Sequence, residues 1–228
     1  VVDSAGCIAS TSVTVPEPLP LDLGGITTNP VCYGDANGTI AVNALGGTLP
    51  YNYSWAHDSG LTSSITSNLS AGSYNVNVVD GNGCSELIDF LLVNPIPVTT
   101  LLTPTDISCK DLCNGEIEAS PLTGVSPYMY QWNDGNQQTG ATASLLCAGT
   151  YSVIVADANG CLDTVQATLT EPSQLSVTID LYANPTCNSS CDGYASANPQ
   201  GGVAPYSYQW SNGSTSQVAQ DLCAGTYI

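Results

Sequence analysis

Apolar residues occur in short stretches that are rich in β-branched side chains and bounded by turn residues. Examples are TIAV at 39–42, YSVIV at 151–155 and LSVTI at 175–179. Such stretches are typical of β-strands, and no segment keeps a helical period. Asn-Gly dipeptides indicate tight turns between strands, at residues 37–38, 82–83, 114–115 and 159–160. The pattern predicts an all-β protein.

The same pattern returns at a fixed interval. Cys7, Cys84 and Cys161 are 77 residues apart, and prolines that end the same phrases keep that spacing. Self-similarity of this kind defines the structural unit. It predicts the tail of a preceding repeat, two complete repeats and a truncated third repeat, at residues 1–18, 19–95, 96–172 and 173–228. Short Pro-rich joints separate the repeats, so we expect them to lie end to end with limited swing.

Several short strands within about 77 residues predict a β-sandwich of the immunoglobulin type. Each repeat contains the phrase Pro-Tyr-x-Tyr-x-Trp, whose alternation places the aromatic rings on one face of one strand. We expect a core face, because immunoglobulin-like sandwiches bury a Trp on their third strand. The alternative is a strip that binds a sugar or a partner. The residues are Tyr51, Tyr53, Trp55, Tyr128, Tyr130, Trp132, Tyr206, Tyr208 and Trp210.

A second phrase, Leu-x-Ala-Gly-x-Tyr, precedes a predicted strand in each repeat and ends at Tyr74, Tyr151 and Tyr227. It has the form of a tyrosine corner, in which the hydroxyl binds backbone a few residues upstream. We expect a structural role for these three residues.

The ten cysteines predict disulfides and therefore an oxidising location outside the cytosol. Cys113 and Cys147 occur together in the second repeat, and Cys191 and Cys223 in the third. Ala36 and Ser70 stand at the same positions of the first repeat. Residues that appear and vanish together predict the pairs Cys113–Cys147 and Cys191–Cys223. Closing a loop of 35 residues stabilises a small domain by about 4 kcal/mol in the chain-entropy model.

The remaining cysteines leave two alternatives. They pair within repeats, as Cys32–Cys84 and Cys109–Cys161, or between repeats, as Cys32–Cys161. Our hypothesis is the second, because the first loop and the last hairpin of such a sandwich lie at opposite ends. Cys7 and Cys187 are also predicted to form disulfides, and we expect some cysteines, Cys187 among them, to find partners in repeats outside this chain.

The charge is strongly one-sided. Nineteen acidic residues stand against one basic residue, Lys110, and the formal net charge is −18. Such a chain repels phosphate backbones and anionic lipid surfaces, which argues against nucleic acid as a partner. An apolar fraction of 43% favours a folded chain over a disordered one. No apolar run approaches the ~20 residues of a membrane helix, so membrane insertion is not expected.

Catalytic chemistry is not indicated. His57 is the only histidine, and no second base or matched nucleophile accompanies it, so we expect no enzyme activity and no cofactor. Asp35-Ala-Asn37-Gly and Asp157-Ala-Asn159-Gly are interpreted as turns. The alternative is a pair of weak calcium sites, although the distal bidentate Glu of a calcium loop is missing.

The ordered motifs of the chain resemble those of the SprB repeat. In the first repeat they are CYGDANG at 32–38, GGTLPYNYSW at 46–55, LSAGSY at 69–74, DGNGC at 80–84 and NP at 94–95. The resemblance implies a long secreted adhesin on the cell surface of gliding and related bacteria, exported by type IX secretion. The chain would then be a window on the shaft of a longer filament, with a surface or glycan ligand at a distant tip. The alternatives are an array of glycan-binding modules and a spacer attached to a distant enzyme domain.

Two short stretches, Asp3-Ser4-Ala5 and Asp163-Thr164-Val165, resemble the Asp-Ser/Thr-apolar sites that such bacteria O-glycosylate. Ser4 and Thr164 are therefore candidate glycosylation sites. The alternative interpretation is an ordinary polar strand end.

Overall fold

The computed structural model describes residues 1–228 and contains fifteen β-strands and no helix. The prediction of an all-β protein is confirmed. The chain forms two compact units, Val1–Pro97 and Val98–Ile228. None of its segments is a helix with the length and apolar character that a bilayer crossing requires.

The first repeat is a sandwich of two antiparallel three-stranded sheets. Its strands are β1 (Asp22–Thr28), β2 (Gly38–Leu45), β3 (Asn52–Trp55), β4 (Ile65–Leu69), β5 (Gly72–Val79) and β6 (Ser85–Leu92). One sheet has the order β1-β2-β4 and the other β3-β5-β6. This is the A-B-E and C-F-G arrangement of the immunoglobulin fold without strand D.

The second repeat has the same topology. Its strands are β7 (Thr100–Thr105), β8 (Gly115–Pro121), β9 (Met129–Trp132), β10 (Thr142–Leu146), β11 (Gly149–Ala156) and β12 (Leu162–Leu169). They form sheets of order β7-β8-β10 and β9-β11-β12.

The third repeat shows one sheet of this kind. Its strands are β13 (Ser176–Ala183), β14 (Gly193–Gln200) and β15 (Val218–Leu222), in the order β13-β14-β15. The stretch from Tyr206 to Trp210 is not paired as a strand. In the first two repeats its equivalents β3 and β9 pair with β5 and β11. In the first two repeats the second tyrosine and the tryptophan of the phrase lie on β3 and β9, whereas Tyr51 and Tyr128 directly precede these strands.

Each complete sandwich encloses its own apolar core, built from inward residues of both sheets. In the first repeat β2 alternates buried and partly buried positions, and Ile40, Trp55 and Leu92 are at most 1% exposed. Ile117, Trp132 and Leu169 occupy the same places in the second repeat. Burying one such side chain contributes about 1.5–3 kcal/mol, so these residues dominate the stability of a small unit.

Of the four Asn-Gly dipeptides that are predicted above to be tight turns, two are not. Gly83 and Gly160 have positive φ and do lie in turns. Gly38 and Gly115 instead begin β2 and β8. A Cβ on Gly38 would lie 2.8 Å from the carbonyl oxygen of Leu69, and one on Gly115 would lie 3.0 Å from that of Leu146. Close approach of two strands, not a turn, requires glycine there.

Candidate functional site

Each complete repeat has two chemically distinct ends. We call the end where β6 or β12 finishes the exit end, and the end where the β5–β6 or β11–β12 hairpin turns the entry end. Cysteines lie at both ends, and they form the candidate site.

The loop that carries Cys32 is bound to the exit end of the first repeat. Asn29 Oδ1 accepts a hydrogen bond of 3.0 Å from the backbone N–H of Val93, and Asn94 Oδ1 accepts one of 3.2 Å from that of Gly34. Val93 and Asn94 directly follow β6. Cys32 therefore lies beside the segment that leads out of its repeat.

The second repeat repeats this contact with charged groups. Glu171 Oε2 accepts a hydrogen bond of 2.9 Å from the backbone N–H of Asp111, and Lys110 Nζ binds the same carboxylate. The hydrogen bond to Glu171 raises the pKa of Lys110, and that from Lys110 lowers the pKa of Glu171. Cys109 thus lies at the exit end of the second repeat. Sequence reasoning missed this contact, although Asn94 and Glu171 occupy the same place in successive repeats.

A buried carboxylate organises the entry end. Asp157 Oδ1 accepts hydrogen bonds of 2.9 Å from the backbone N–H groups of Asn159 and Cys161, and Oδ2 accepts one of 3.0 Å from Val125. Desolvation raises the pKa of Asp157, but these backbone donors lower it by more, and the pKa lies below its ordinary value. Asp80 makes the same contacts around Cys84.

This carboxylate is a structural group that sequence reasoning also missed. The signal was present, because Asp3, Asp80 and Asp157 each precede a hairpin cysteine by four residues. Its oxygens face N–H donors, which is not the arrangement of a cation ligand. At the other calcium candidate, Asp35 accepts a hydrogen bond of 3.0 Å from the side chain of Asn37. The structure contains no group of three or more His, Cys, Asp or Glu residues that could hold a metal ion.

Two disulfides lie within repeats. Cys113 is bonded to Cys147, and Cys191 to Cys223. Cys113 precedes β8 and Cys147 precedes β11, and both strands begin at the exit end. The bridge therefore closes the loop of the second repeat that also carries Cys109.

Cys32 also takes part in a disulfide, and so does Cys161. Four cysteines are exposed free thiols: Cys7, Cys84, Cys109 and Cys187. That these four also form disulfides, some of them with partners in repeats outside this chain, stays a prediction.

Neither of the alternative pairs, Cys32–Cys84 and Cys109–Cys161, is formed, since each contains a free thiol. The reason is geometric. The cysteines of each pair lie at opposite ends of an eight-residue strand, β6 or β12. Such a strand is ~25 Å long, whereas bridged Cα atoms lie within about 7 Å.

The three tryptophans are buried. Trp55, Trp132 and Trp210 are 1%, 2% and 7% exposed. Each indole Nε1 donates a hydrogen bond of 2.9 Å to a backbone carbonyl, that of Ser63, Gly140 or Ser216. Because both the ring and its polar atom are occupied, the tryptophans cannot stack against a sugar.

The tyrosines are mostly structural as well. Tyr74, Tyr151 and Tyr227 donate hydrogen bonds of 2.9–3.1 Å to the carbonyl oxygen four residues upstream, which is the geometry of a tyrosine corner. The first tyrosines of the aromatic phrase, Tyr51, Tyr128 and Tyr206, donate to a carbonyl five residues upstream. The second tyrosines, Tyr53, Tyr130 and Tyr208, pack against the cores.

The remaining candidates are isolated surface positions. The ring of His57 makes edge contacts with Trp55 and Tyr74, with centroids 5.6 and 5.0 Å apart. Ser4 lies in an exposed turn, and Thr164 is exposed on β12. The structure does not bring these groups together with one another.

The strand order, the buried third-strand tryptophan and the tyrosine corner define a protein of tandem immunoglobulin-like β-sandwiches. The model of the SprB repeat matches it three times, at residues 24–60, 101–137 and 182–215. These three matches confirm the resemblance seen in the sequence.

No curated protein matches the chain. Among solved structures, the chain resembles the N-terminal four Ig domains of Dscam1 isoform 6.44 with 13% identity and a TM-score of 0.21. That match covers 91% of this chain and 65% of the other.

Proposed function

We propose that this chain is part of the shaft of a secreted cell-surface adhesin, in which sandwich repeats stand in single file and transmit tension. Three SprB repeats and the disulfides fit an extracellular adhesin-like protein. The central element of the proposal is a disulfide between successive repeats, which we call the staple. It would join the exit-end cysteine of one repeat to the entry-end cysteine of the next.

The distribution of oxidised and free cysteines carries this proposal. A staple needs the exit-end cysteine of one repeat and the entry-end cysteine of the next repeat. Cys32 of the first repeat and Cys161 of the second are the one such pair of which this chain contains both members. These two are oxidised, while the other four terminal cysteines are free thiols. Pairing within repeats would oxidise Cys84 and Cys109 as well. The observed pattern therefore favours a staple between Cys32 and Cys161.

Such a staple would shield most of two domains from force. It would close a covalent loop around residues 33–160, so that tension between the chain ends would pass from Cys32 to Cys161 through sulfur. Most core residues of the first two repeats would lie inside that loop, whereas β1 and β12 lie outside it. The chain inside the loop could not extend under load before a covalent bond breaks.

The finer assignments follow from the same proposal. We place the protein on a bacterial cell surface, with export by type IX secretion and use in gliding motility, because these are the implications of the SprB repeat. The ligand would lie at a tip outside this chain. The net charge of −18 would keep neighbouring shafts apart at low salt.

The alternatives receive no support from a specific observation. A glycan-binding array would require exposed tryptophans, and these are buried and hydrogen-bonded. For catalysis, His57 has aromatic neighbours but no partner that would make it a general base. We therefore propose a structural role without enzyme activity.

Disulfide mapping tests the proposal. Free thiols are alkylated in the native chain, which is then digested without reductant and analysed by mass spectrometry. We expect label on Cys7, Cys84, Cys109 and Cys187, and a linked pair of peptides containing Cys32 and Cys161. A linked Cys32/Cys84 pair, or label on all ten cysteines, would overturn the staple.

A further inference from the structure

We propose that Asn159-Gly160, in the hairpin between β11 and β12, is a site of spontaneous covalent modification, where asparagine becomes aspartate or isoaspartate without an enzyme. The inference goes beyond the proposed function and does not depend on the staple. It rests on a comparison within the chain, because the two complete repeats contain four Asn-Gly dipeptides that the fold holds in different ways.

The reaction needs only the peptide and water. The backbone nitrogen of Gly160 attacks Cγ of Asn159, a C–N bond forms, and the side-chain nitrogen leaves as ammonia with the proton of the attacking N–H. The product is a five-membered cyclic imide. Water then opens the imide, at Cγ to give aspartate or at the backbone carbonyl to give isoaspartate. Glycine favours the attack because no Cβ shields its nitrogen.

Two of the four dipeptides are held against this reaction. Asn114 Oδ1 accepts a hydrogen bond of 3.1 Å from the backbone N–H of Ser108, and Asn114 Nδ2 donates one of 2.7 Å to Ser108 Oγ. Both ends of the amide of Asn37 are hydrogen-bonded as well. The glycines that follow, Gly38 and Gly115, are buried at the start of a strand. These contacts keep Cγ from turning toward the glycine nitrogen.

The other two dipeptides lie in exposed hairpin turns, and all four of their residues are exposed: Asn82, Gly83, Asn159 and Gly160. The N–H of Gly160 donates a hydrogen bond of 3.0 Å to the carbonyl of Asp157, and Gly83 makes the equivalent bond. This bond must open before the nitrogen can attack. Opening a turn costs less than separating a strand from its sheet, so the reaction is favoured in the hairpins.

A single hydroxyl distinguishes the two hairpins. Asn82 Nδ2 donates a hydrogen bond of 2.9 Å to Thr48 Oγ1. Val125 takes the place of Thr48 in the second repeat, since each donates its backbone N–H to the hairpin carboxylate, but Val125 has no hydroxyl. Asn159 takes part in the hairpin through its backbone N–H alone. Its side chain can therefore turn toward the next glycine most readily.

Isoaspartate at position 159 changes the entry end of the second repeat. The backbone N–H groups of Asn159 and Cys161 both bind Asp157 Oδ1 at 2.9 Å. Isoaspartate adds one carbon to the main chain between these two groups, so they can no longer meet the same oxygen in this geometry. The hairpin loosens beside Cys161, and the second repeat loses stability.

Peptide mapping over time tests the site. The folded chain is incubated at mildly alkaline pH and physiological temperature, digested with pepsin in acid, where the reaction is slow, and analysed by mass spectrometry. Labelling with an isoaspartyl methyltransferase identifies isoaspartate. We expect conversion first at Asn159, roughly fivefold more slowly at Asn82, where one hydrogen bond holds the amide, and least at Asn37 and Asn114.

The unfolded chain is the control for this order. In urea and reductant the four dipeptides should convert at similar rates, because the contacts that distinguish them are lost. Conversion at Asn114 as fast as at Asn159 in the folded chain would overturn the inference, and so would the same order of rates in the unfolded chain.

Two reciprocal variants isolate the hydroxyl. V125T gives the second hairpin the acceptor that the first one has, and should slow conversion at Asn159 about fivefold; T48V should accelerate conversion at Asn82 by a similar factor. Both variants keep the backbone N–H that binds the hairpin carboxylate. Unchanged rates in both would overturn the inference.

The variant N159D separates the longer main chain from the added charge. It carries the charge of the product on a normal backbone and should melt nearly like wild type, whereas the incubated chain enriched in isoaspartate should have a lower Tm. Equal Tm values for N159D and the incubated chain would overturn the loosening of the hairpin. None of these measurements involves the Cys32–Cys161 pair, so this inference and the staple can fail separately.

Discussion

At the scale of single residues, the repeats depend on polar groups that hold loops against the ends of the sandwich. Asp157 gathers three backbone N–H groups at the entry end, and Tyr151 binds the carbonyl of Cys147 across the corner that precedes β11. Both residues recur in register in the first repeat as Asp80 and Tyr74. Each can be tested alone.

Replacing Asp157 with Asn should destabilise the second repeat and alter its acid response. The folded-state pKa of Asp157 is lowered, so the charged form contributes stability above the unfolded pKa of about 3.9. That contribution is lost as the pH falls through the lowered folded pKa. In thermal melts, D157N should have a lower Tm at pH 7, and its deficit against wild type should shrink below about pH 4.

The control for this prediction is D89N, a change at an exposed carboxylate of β6. It should leave the melt nearly unchanged. A D157N deficit that stays constant down to pH 2 would show that the charge of Asp157 does not stabilise the hairpin.

Replacing Tyr74 with Phe removes the corner hydrogen bond of 2.9 Å to Ser70 O and keeps the ring. A hydrogen bond of this kind contributes about 1 kcal/mol, which lowers the Tm of a domain of this size by roughly 4–8 °C. Y33F, at a tyrosine that is 61% exposed, should have no such effect. Calorimetry of both variants checks the difference, and equal Tm values would refute the role of the corner.

At the scale of elements, the sequence was enough to predict the strands, the buried tryptophan strand and the tyrosine corner. Each of these depends on alternation or a local phrase that occurs three times. Gly38 shows the limit of such reasoning. It follows Asn37 as in a tight turn, yet it is required by the approach of Leu69, a contact that only the folded sheet creates.

The ends of the repeat show the same limit. Cys32 cannot reach Cys84 because the length of β6 separates them. The hydrogen bonds of Asn94 and Glu171 join residues about 60 positions apart. Long-range contacts of this kind leave no local pattern. The one signal that could have revealed these contacts was that polar residues recur at the same position of successive repeats, as Asn94 and Glu171 do.

The internal bridges can be tested by transplanting one. Ala36 and Ser70 stand in the first repeat where Cys113 and Cys147 are bonded in the second. The double variant A36C with S70C should form a bridge and raise the stability of the first repeat by up to about 4 kcal/mol in the chain-entropy model. Chemical denaturation with and without reductant measures the gain.

Neither single variant, A36C or S70C, should stabilise the repeat. A double variant that forms the bridge by mass spectrometry but unfolds at the wild-type denaturant concentration would contradict the prediction.

At the scale of the whole molecule, the proposed staple would protect the small domains of the proposed shaft covalently. Each sandwich alone has a core of fewer than ten fully buried apolar residues, which is marginal for a domain of this size. A staple between successive repeats would not enlarge any core. It would remove the cores from the path of the load.

Single-molecule force spectroscopy tests this claim most directly. The chain is pulled between its ends without reductant, and wild type is compared with C32S and with C84S, a change at a free thiol. Loss of the staple frees roughly 95 residues outside the Cys113–Cys147 loop, or ~33 nm at about 3.5 Å per residue. We predict this additional extension for C32S alone. Equal total extension in wild type, C32S and C84S would contradict the account.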